Sequence, residues 1–390
     1  MFLDAPSRRR GTTLARSWSV TELVVAPVTI TPTKPLTPTH IKGLIWADVL
    51  VKASAHVRKV RLVWNNRMAT ITAQSTAFWR YLDLTEPDTD WSGESETRIG
   101  ERYVTFHAKS DETNPRAALE GYLARADEAG WIHPAGLRML DLWRAELQLL
   151  GIRVPGLTED RPLATSARTM VGVLAERGLL IDHRRFGGPV YLDGARWGMP
   201  LRQLIGGDGL PNYLLPILRE LIPMIRPDRA FLLIHDDGLT ADYLLLERVL
   251  TEFGARMARL ALSRVPVNGE TRSSRYGGWS GTTLADLSST SGTAGLAAYR
   301  LGMRLYFAGA LHQNSAQPFR MPLLRRCVGR AARLLDRAPV DSCEESERRL
   351  VTTLSKWQAQ QGYVDPYRLT TSLLGSRALP FDPALRAIYV

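Results

Sequence analysis

The chain has 390 residues, 45% hydrophobic and 23% charged, an ordinary globular composition that suits two domains or one domain with insertions. Its net charge is +11 and its pI about 9.9, with the positive charge mostly Arg; that balance favours nucleic acid, nucleotides or acidic partners, and also describes a solvated Arg-rich surface. Cys327 and Cys343 make neither a metal-ligand spacing nor a disulfide framework, and no apolar run approaches the roughly 20 residues of a bilayer span, so a cytoplasmic protein with no membrane or DNA partner is expected.

Residues 1–20, with Arg8, Arg9, Arg10 and Arg16, read as a basic flexible tail without a signal-like apolar stretch. Leu23 to Ile30 is an apolar, β-branched run suited to a buried parallel strand. A Thr- and Pro-rich loop, Thr31 to Thr39, follows, and from His40 the positions Ile41, Leu44, Ile45, Val49 and Leu50 recur at helical spacing. A strand, a polar loop and a helix N-terminus make a site for an anion, although many α/β folds that bind no nucleotide open the same way. Val60, Leu62 and Trp64 alternate as a second strand, with Asn65 and Asn66 at its end, either at a ligand crevice or in a simple turn. Phe78 to Glu112 is mixed and acidic and reads as a surface insertion.

Asn114 and Pro115 introduce a helix to about Ala129, and Ala135 to Leu150 forms another, with Leu137, Leu140, Leu147 and Leu150 on one face and Gly151 as its stop. Thr169 to Gly178 is a third helix. Short β-like runs cover Gly187 to Asp193 and Leu204 to Asp208. A helix follows over Leu214 to Ile225, then a strand from Phe231 to Ile234 that ends in His235, Asp236, Asp237 and Gly238. Asp242 to Gly254 is helical, and Asn268 to Thr283 is a polar, Gly-rich loop. Three helices, Ala294 to Leu311, Pro322 to Leu335 and Ser346 to Gln360, precede a Pro-punctuated end from Tyr363 that is expected to wrap the surface. His107, His133, His183 and His312 are scattered, and no metal site is expected.

Thr31 to His40, TPTKPLTPTH, resembles the first signature loop of the class I aminoacyl-tRNA synthetases, closest to the arginyl type: Pro32, Thr33, Lys34, Pro35, Leu36 and His40 match, and Asp48 has the family's spacing from His40. Three more segments agree in order. Leu149 to Ile152 resembles the family's Leu-Gly-Ile segment, Asp208 to Leu214 its Asp-Gly-x-x-x-Tyr-Leu run, and Gly269 to Gly277, with Ser273, Ser274 and Arg275, the arginyl variant of its second signature loop. Thr282 to Leu287 is similar to the segment after that loop. The resemblance implies an α/β fold with a Rossmann-like parallel sheet. A catalytic domain would span 21–287 with a helical insertion at about 75–165, and a reduced α-helical region would span 288–390.

The resemblance also implies a chemistry: an amino-acid carboxylate attacks the α-phosphate of ATP, with Mg2+ accompanying the nucleotide. Thr37, His40, Ser273 and Arg275 would be catalytic. Pro35, Thr39, Gly269, Arg272 and Ser274 would bind ATP, and Thr33, Asn65, Tyr213, Asp236 and Asp242 would line the substrate site, where an acidic group suits a guanidinium. Thr37 and Thr39 stand where the family has His and Gly, and Thr39 is expected to crowd an adenine; Thr271 and Ser274 stand where Lys is expected. Losing one transition-state donor costs ~2.7–4 kcal/mol, so adenylation weakens unless Arg272 and Arg275 compensate. No tRNA-elbow domain is seen before residue 20, and about 100 residues follow the second loop, with Arg300 to Phe307 and Phe319 to Leu335 resembling the start of the family's helical anticodon-binding domain.

Three readings follow. The first is an ATP-dependent ligase that activates arginine or a relative and passes it to a small-molecule amine or a carrier. The second is a transferase that takes an aminoacyl group from charged tRNA, to which the +11 charge is suited. The third is a non-catalytic relative that binds nucleotide, amino acid or a protein.

Overall fold

Glu22–Pro27 (β1) is buried along its whole length, as a strand flanked on both sides must be. It pairs in parallel with Lys59–Leu62 (β2) on one side and Arg229–Asp236 (β6) on the other, and β6 pairs in parallel with Arg256–Leu262 (β7). The sheet order is β2-β1-β6-β7. Val25 is opposite Leu62 and Leu232, and Pro27 opposite Ile234, so the C-terminal ends of β1 and β6 lie side by side where the chain changes direction across the sheet. In open parallel sheets this is where ligands bind. The structure, a computed structural model, describes residues 20–109, 116–153, 160–271, 273–288, 295–338, 344–375 and 381–390.

The helix after β1 is Pro38–Ala55 (α1), which starts two residues before His40. Pro38 supplies a helix-ready φ at the first position, and Thr37 and His40 form a reciprocal capping box. After β2 the chain leaves the sheet through Arg67–Thr70 (α2), Ala73–Thr85 (α3), Glu96–Ala108 (α4), Arg116–Ala129 (α5), Pro134–Leu149 (α6) and Ala167–Glu176 (α7). Phe78 to Glu112 was expected to be a surface insertion. Its described part instead joins the protein's main core: Phe78, Trp79, Tyr103 and Phe106 are buried in it, and Phe78 meets Tyr103 edge to face at 5.1 Å. Asn114, Pro115 and Arg272 lie outside the described residues. On α6 Leu140 and Leu147 are buried while Leu137 is 48% exposed, and Gly151 ends the helix at φ +69°.

A small antiparallel sheet, Leu180–Asp182 (β3), Val190–Leu192 (β4) and Arg202–Ile205 (β5), precedes Leu214–Leu221 (α8). After β6, Thr240–Glu252 (α9) crosses to β7, and Leu284–Ser288 (α10) follows the second signature loop. Beyond it the described residues form helices at Leu296–Arg304, continuing into a π-helical turn at Leu305–Ala310, and at Met321–Asp336, Glu344–Lys356, Pro366–Thr371 and Arg386–Tyr389. The segment from Tyr363 does not wrap the surface as expected. Leu369, Phe381, Ile388 and Tyr389 are buried, and Val364 N–H donates to Ser54 Oγ on α1 at 2.9 Å. Among the described residues no helix is long and apolar enough to cross a membrane.

Two buried polar clusters join these parts. Arg304, fully buried, donates to Asp48 of α1 at 2.6 Å and to the carbonyls of Leu150 and Arg300 at 3.0 Å. Glu96 of α4 and Glu146 of α6 are buried close to Asp286 of α10. Burial and Asp286 push the Glu96 carboxyl up to about 7 against the opposing hydrogen bond from Thr283, and burial with Glu96 and Asp286 pushes Glu146 up to about 8.

Asp48→Leu strands the Arg304 guanidinium and is expected to cost on the order of 3–5 kcal/mol in denaturant unfolding, with most of it recovered by adding Arg304→Met; additive losses would show that the pair is not the coupled unit. Because the Glu146 pKa is raised on folding, the stability this carboxyl contributes is present below pH 4.5 and lost as pH rises through about 8. Glu146→Gln should therefore raise the melting temperature at pH 8 and give little gain at pH 4, measured as thermal unfolding across that range.

Candidate active site

The first cavity opens at the sheet's switch point, at the C-terminal ends of β1, β6 and β7 against the start of α1. It is lined by Thr39, His40, Gly43, Trp64, His235 and Asp236 among others. A Cβ on Gly43 would meet nothing within 4 Å, so this turn of α1 presents open space where other residues would project a side chain. His40 Nδ1 accepts the Thr37 backbone N–H at 3.2 Å and lies 3.1 Å from the Thr37 hydroxyl, which leaves Nε2 as the N–H donor. Burial, reinforced by the Lys34 and Arg264 cations, pushes His40 down to about 3, so the ring is neutral at physiological pH. Thr39 Oγ accepts the Val265 N–H at 3.0 Å, tying the first turn of α1 to the segment after β7.

The second cavity lies between the two signature loops and is lined by Thr37, Thr39, Val267, Asn268, Glu270, Ser274 and Trp279 among others. Asn268 and Gly269 sit at φ 54° and 82°, while Val267 and Glu270 exchange two backbone hydrogen bonds of 3.0 Å. Positive φ at both central residues is the mark of the tight Asn-Gly hairpin turn. Ser273 precedes a 3-10 turn, Ser274–Tyr276, and its Oγ accepts from Arg275 Nε at 3.2 Å.

The third cavity lies beyond the end of β1 between α2, α3 and the approach to α8. Thr31, Thr72, Gln74, Asp208, Asn212, Tyr213 and Arg275 are among its lining residues. The structure thus gathers Thr37, Thr39, His40, Ser274, Arg275, Tyr213 and Asp236 around three neighbouring cavities. Thr33, Pro35, Asn65 and Asp242 do not line these three cavities. Pro35 packs under α4, where a Cβ on Gly100 would come within 2.7 Å of its Cδ. Thr33 is fully buried beside the Tyr103 phenol. Asn65 is 2% exposed and donates to the Arg161 carbonyl at 3.0 Å while its Oδ1 accepts from Arg67 N–H at 3.1 Å, a structural tie at the end of β2. Asp242 is held by Arg202 at 2.8 Å through each of its oxygens and by the Tyr213 hydroxyl. Asp236 is paired with Arg264 at 2.6 Å.

Lys34 and Tyr103 were not assigned roles from sequence. The Lys34 ammonium lies 5.0 Å from the centre of the Tyr103 ring, and burial with the repulsion of Arg275 pushes it down to about 8. Neither Lys34 nor Arg275 forms an ion pair among the described residues. A buried lysine beside an arginine without a carboxylate is an electrostatic environment suited to an anion. Gly43 carried a signal that sequence reading passed over: glycine inside a helix is costly, and this one faces the first cavity. Gly43→Ala is expected to raise stability by up to ~1 kcal/mol in thermal unfolding, because the helix gains propensity without meeting a neighbour; a loss would show that the space beside α1 is not open.

No protein-family model matches the sequence, and no curated protein matches it by sequence. Solved structures do match. The Thermus thermophilus arginyl-tRNA synthetase aligns over 94% of this chain and 74% of its own, at 12% identity and a TM-score of 0.59. A Campylobacter jejuni protein assigned as an arginyl-tRNA synthetase aligns over 94% and 89%, at 13% identity and 0.55. The arginyl-tRNA synthetase of Plasmodium falciparum aligns over 96% and 75%, at 10% identity and 0.52. At these identities the likeness is one of fold, and it extends through both the sheet and the C-terminal helices. The chain has the class I aminoacyl-tRNA synthetase fold in its arginyl-tRNA synthetase-like form.

Proposed function

We propose that the chain is an ATP-dependent ligase that activates an amino-acid carboxylate as an adenylate and passes it to a small-molecule amine or a carrier. The observation that carries this reading is the pair Lys34 and Arg275, two cations without a carboxylate partner among the described residues, with Lys34 close to the neutral His40 and Arg275 lining the third cavity. The cavity beside Gly43 suits a nucleoside, the cavity between the loops its phosphates, and the cavity at Tyr213 an amino acid.

In such a reaction the carboxylate oxygen bonds to the α-phosphorus and pyrophosphate departs with its electron pair. The protein's task is to place the two reactants and to meet the charge that grows on the phosphoryl oxygens. His40 Nε2–H and the Thr37 hydroxyl are neutral donors at the helix N-terminus, while Lys34 and Arg275 contribute positive charge. Mg2+ would travel with the phosphates; among the described residues no group of three or more His, Cys, Asp or Glu side chains is arranged to hold a metal ion.

ATP–pyrophosphate exchange over a panel of amino acids tests the reading. With the active amino acid, His40→Ala is expected to slow exchange by roughly 10²–10³-fold. Lys34→Met should weaken ATP binding, and wild-type activity should fall above pH 8 as the Lys34 ammonium deprotonates. Thr271 and Ser274, where the family has Lys, favour the transferase reading instead if exchange is absent and turnover appears only with charged tRNA. Undiminished exchange in both variants would remove the proposed roles of His40 and Lys34.

A further inference from the structure

The third cavity carries a statement about which amino acid fits. Its apolar wall includes Met68, Ala69, Leu210, Ile217 and Leu239, of which the first four are buried. Neutral polar groups, Thr29, Thr31 and Thr72 with Gln74, Gln203, Asn212 and Tyr213, make up much of the rest. The charged residues in its lining are Asp208 and Arg275. Asp208 is exposed at the lip, and its Oδ1 already accepts the Leu210 N–H at 3.0 Å in the turn before α8.

Two carboxylates beside this region, neither of them in its lining, are closed by the protein's own guanidinium groups. Asp242 lies behind Tyr213, with Arg202 Nε 2.8 Å from one oxygen and Arg202 Nη2 2.8 Å from the other, and the Tyr213 hydroxyl on the second oxygen as well. Asp236 receives Arg264 Nε at 2.6 Å and the Gly238 N–H at 3.0 Å. A two-point guanidinium–carboxylate pair is the arrangement by which a protein recognises arginine, and at Asp242 it is already complete within the chain. A substrate guanidinium entering beyond Asp208 at the lip would lose hydration, meet a lining of apolar and neutral polar groups, and face Arg275.

We infer that this cavity selects an amino acid with an uncharged side chain and excludes one with a guanidinium. The inference rests on the reading of the third cavity as the amino-acid site of the proposed ligase. It departs from the arginine substrate that the first signature loop suggests.

Calorimetric titration of the full chain with L-leucine, L-methionine and L-arginine, each with and without a non-hydrolysable ATP analogue, tests it alongside pyrophosphate exchange. L-Leucine or L-methionine is expected to bind at least about tenfold more tightly than L-arginine, and Arg202→Ala, which uncovers Asp242, should narrow that gap by strengthening L-arginine alone. Tighter binding of L-arginine to the wild-type chain overturns the inference and leaves the ligase reading in place if exchange follows. Binding of a neutral amino acid without exchange supports the inference and overturns the ligase reading. No binding of any of the three overturns both, and an unchanged gap in Arg202→Ala overturns the role given to the closed Asp242.

Discussion

A buried guanidinium ties α1 to the C-terminal helices and to the end of α6. Arg304 reaches from the C-terminal helices to Asp48 on α1 and to two backbone carbonyls, without contact with solvent. Such a group is costly to bury unless every donor is met, and here the partners come from α1, from the end of α6 and from its own helix. Around it, Lys42 donates to the carbonyls of Ser263 and Gln313 at 3.0 and 3.2 Å, Trp46 donates to the Phe307 carbonyl at 3.0 Å, and Ser54 accepts from Val364. α1 is thus tied to the C-terminal region and to the segment after β7 at several points along its length. Its first two turns also present His40 and Gly43 to the first cavity. The position of His40 is therefore set in part by contacts made further along its own helix.

That arrangement explains what could be read from the residues alone. β1 and α1 were legible because their patterns are local: an uninterrupted apolar run, a proline in the first helical turn and a Thr–His cap three residues apart. The parallel sheet and its helical additions followed from the resemblance of the two signature loops, and the fold of the solved arginyl-tRNA synthetases agrees with it. The candidate site was legible in the residues that the loops bring together, Thr37, Thr39, His40, Ser274 and Arg275.

What escaped the sequence was pairing across long separations. Asp236 and Asp242 look like open recognition groups in a run of acids, yet Arg264 lies 28 residues after the first and Arg202 lies 40 before the second. The acidic stretch after Phe78 looked like surface because its charges stand between aromatic residues whose burial shows only once α3 and α4 pack. The end of the chain looked like a wrap because its prolines read as turns, while Phe381, Ile388 and Tyr389 fill the C-terminal core. Each of these is a tertiary decision that local propensity does not encode.

The close seat of α4 has a consequence for anyone who would move this site elsewhere. At Gly100 a methyl group would stand 2.7 Å from Pro35 Cδ and 2.9 Å from a ring carbon of Trp279, so one glycine lets the helix touch the first loop and the tail of the second at once. Neither loop holds its shape as an independent cassette. A graft of TPTKPLTPTH onto another parallel sheet would carry the sequence and lose the wall that shapes it; the smallest transplantable unit is the two loops together with α4, glycine included.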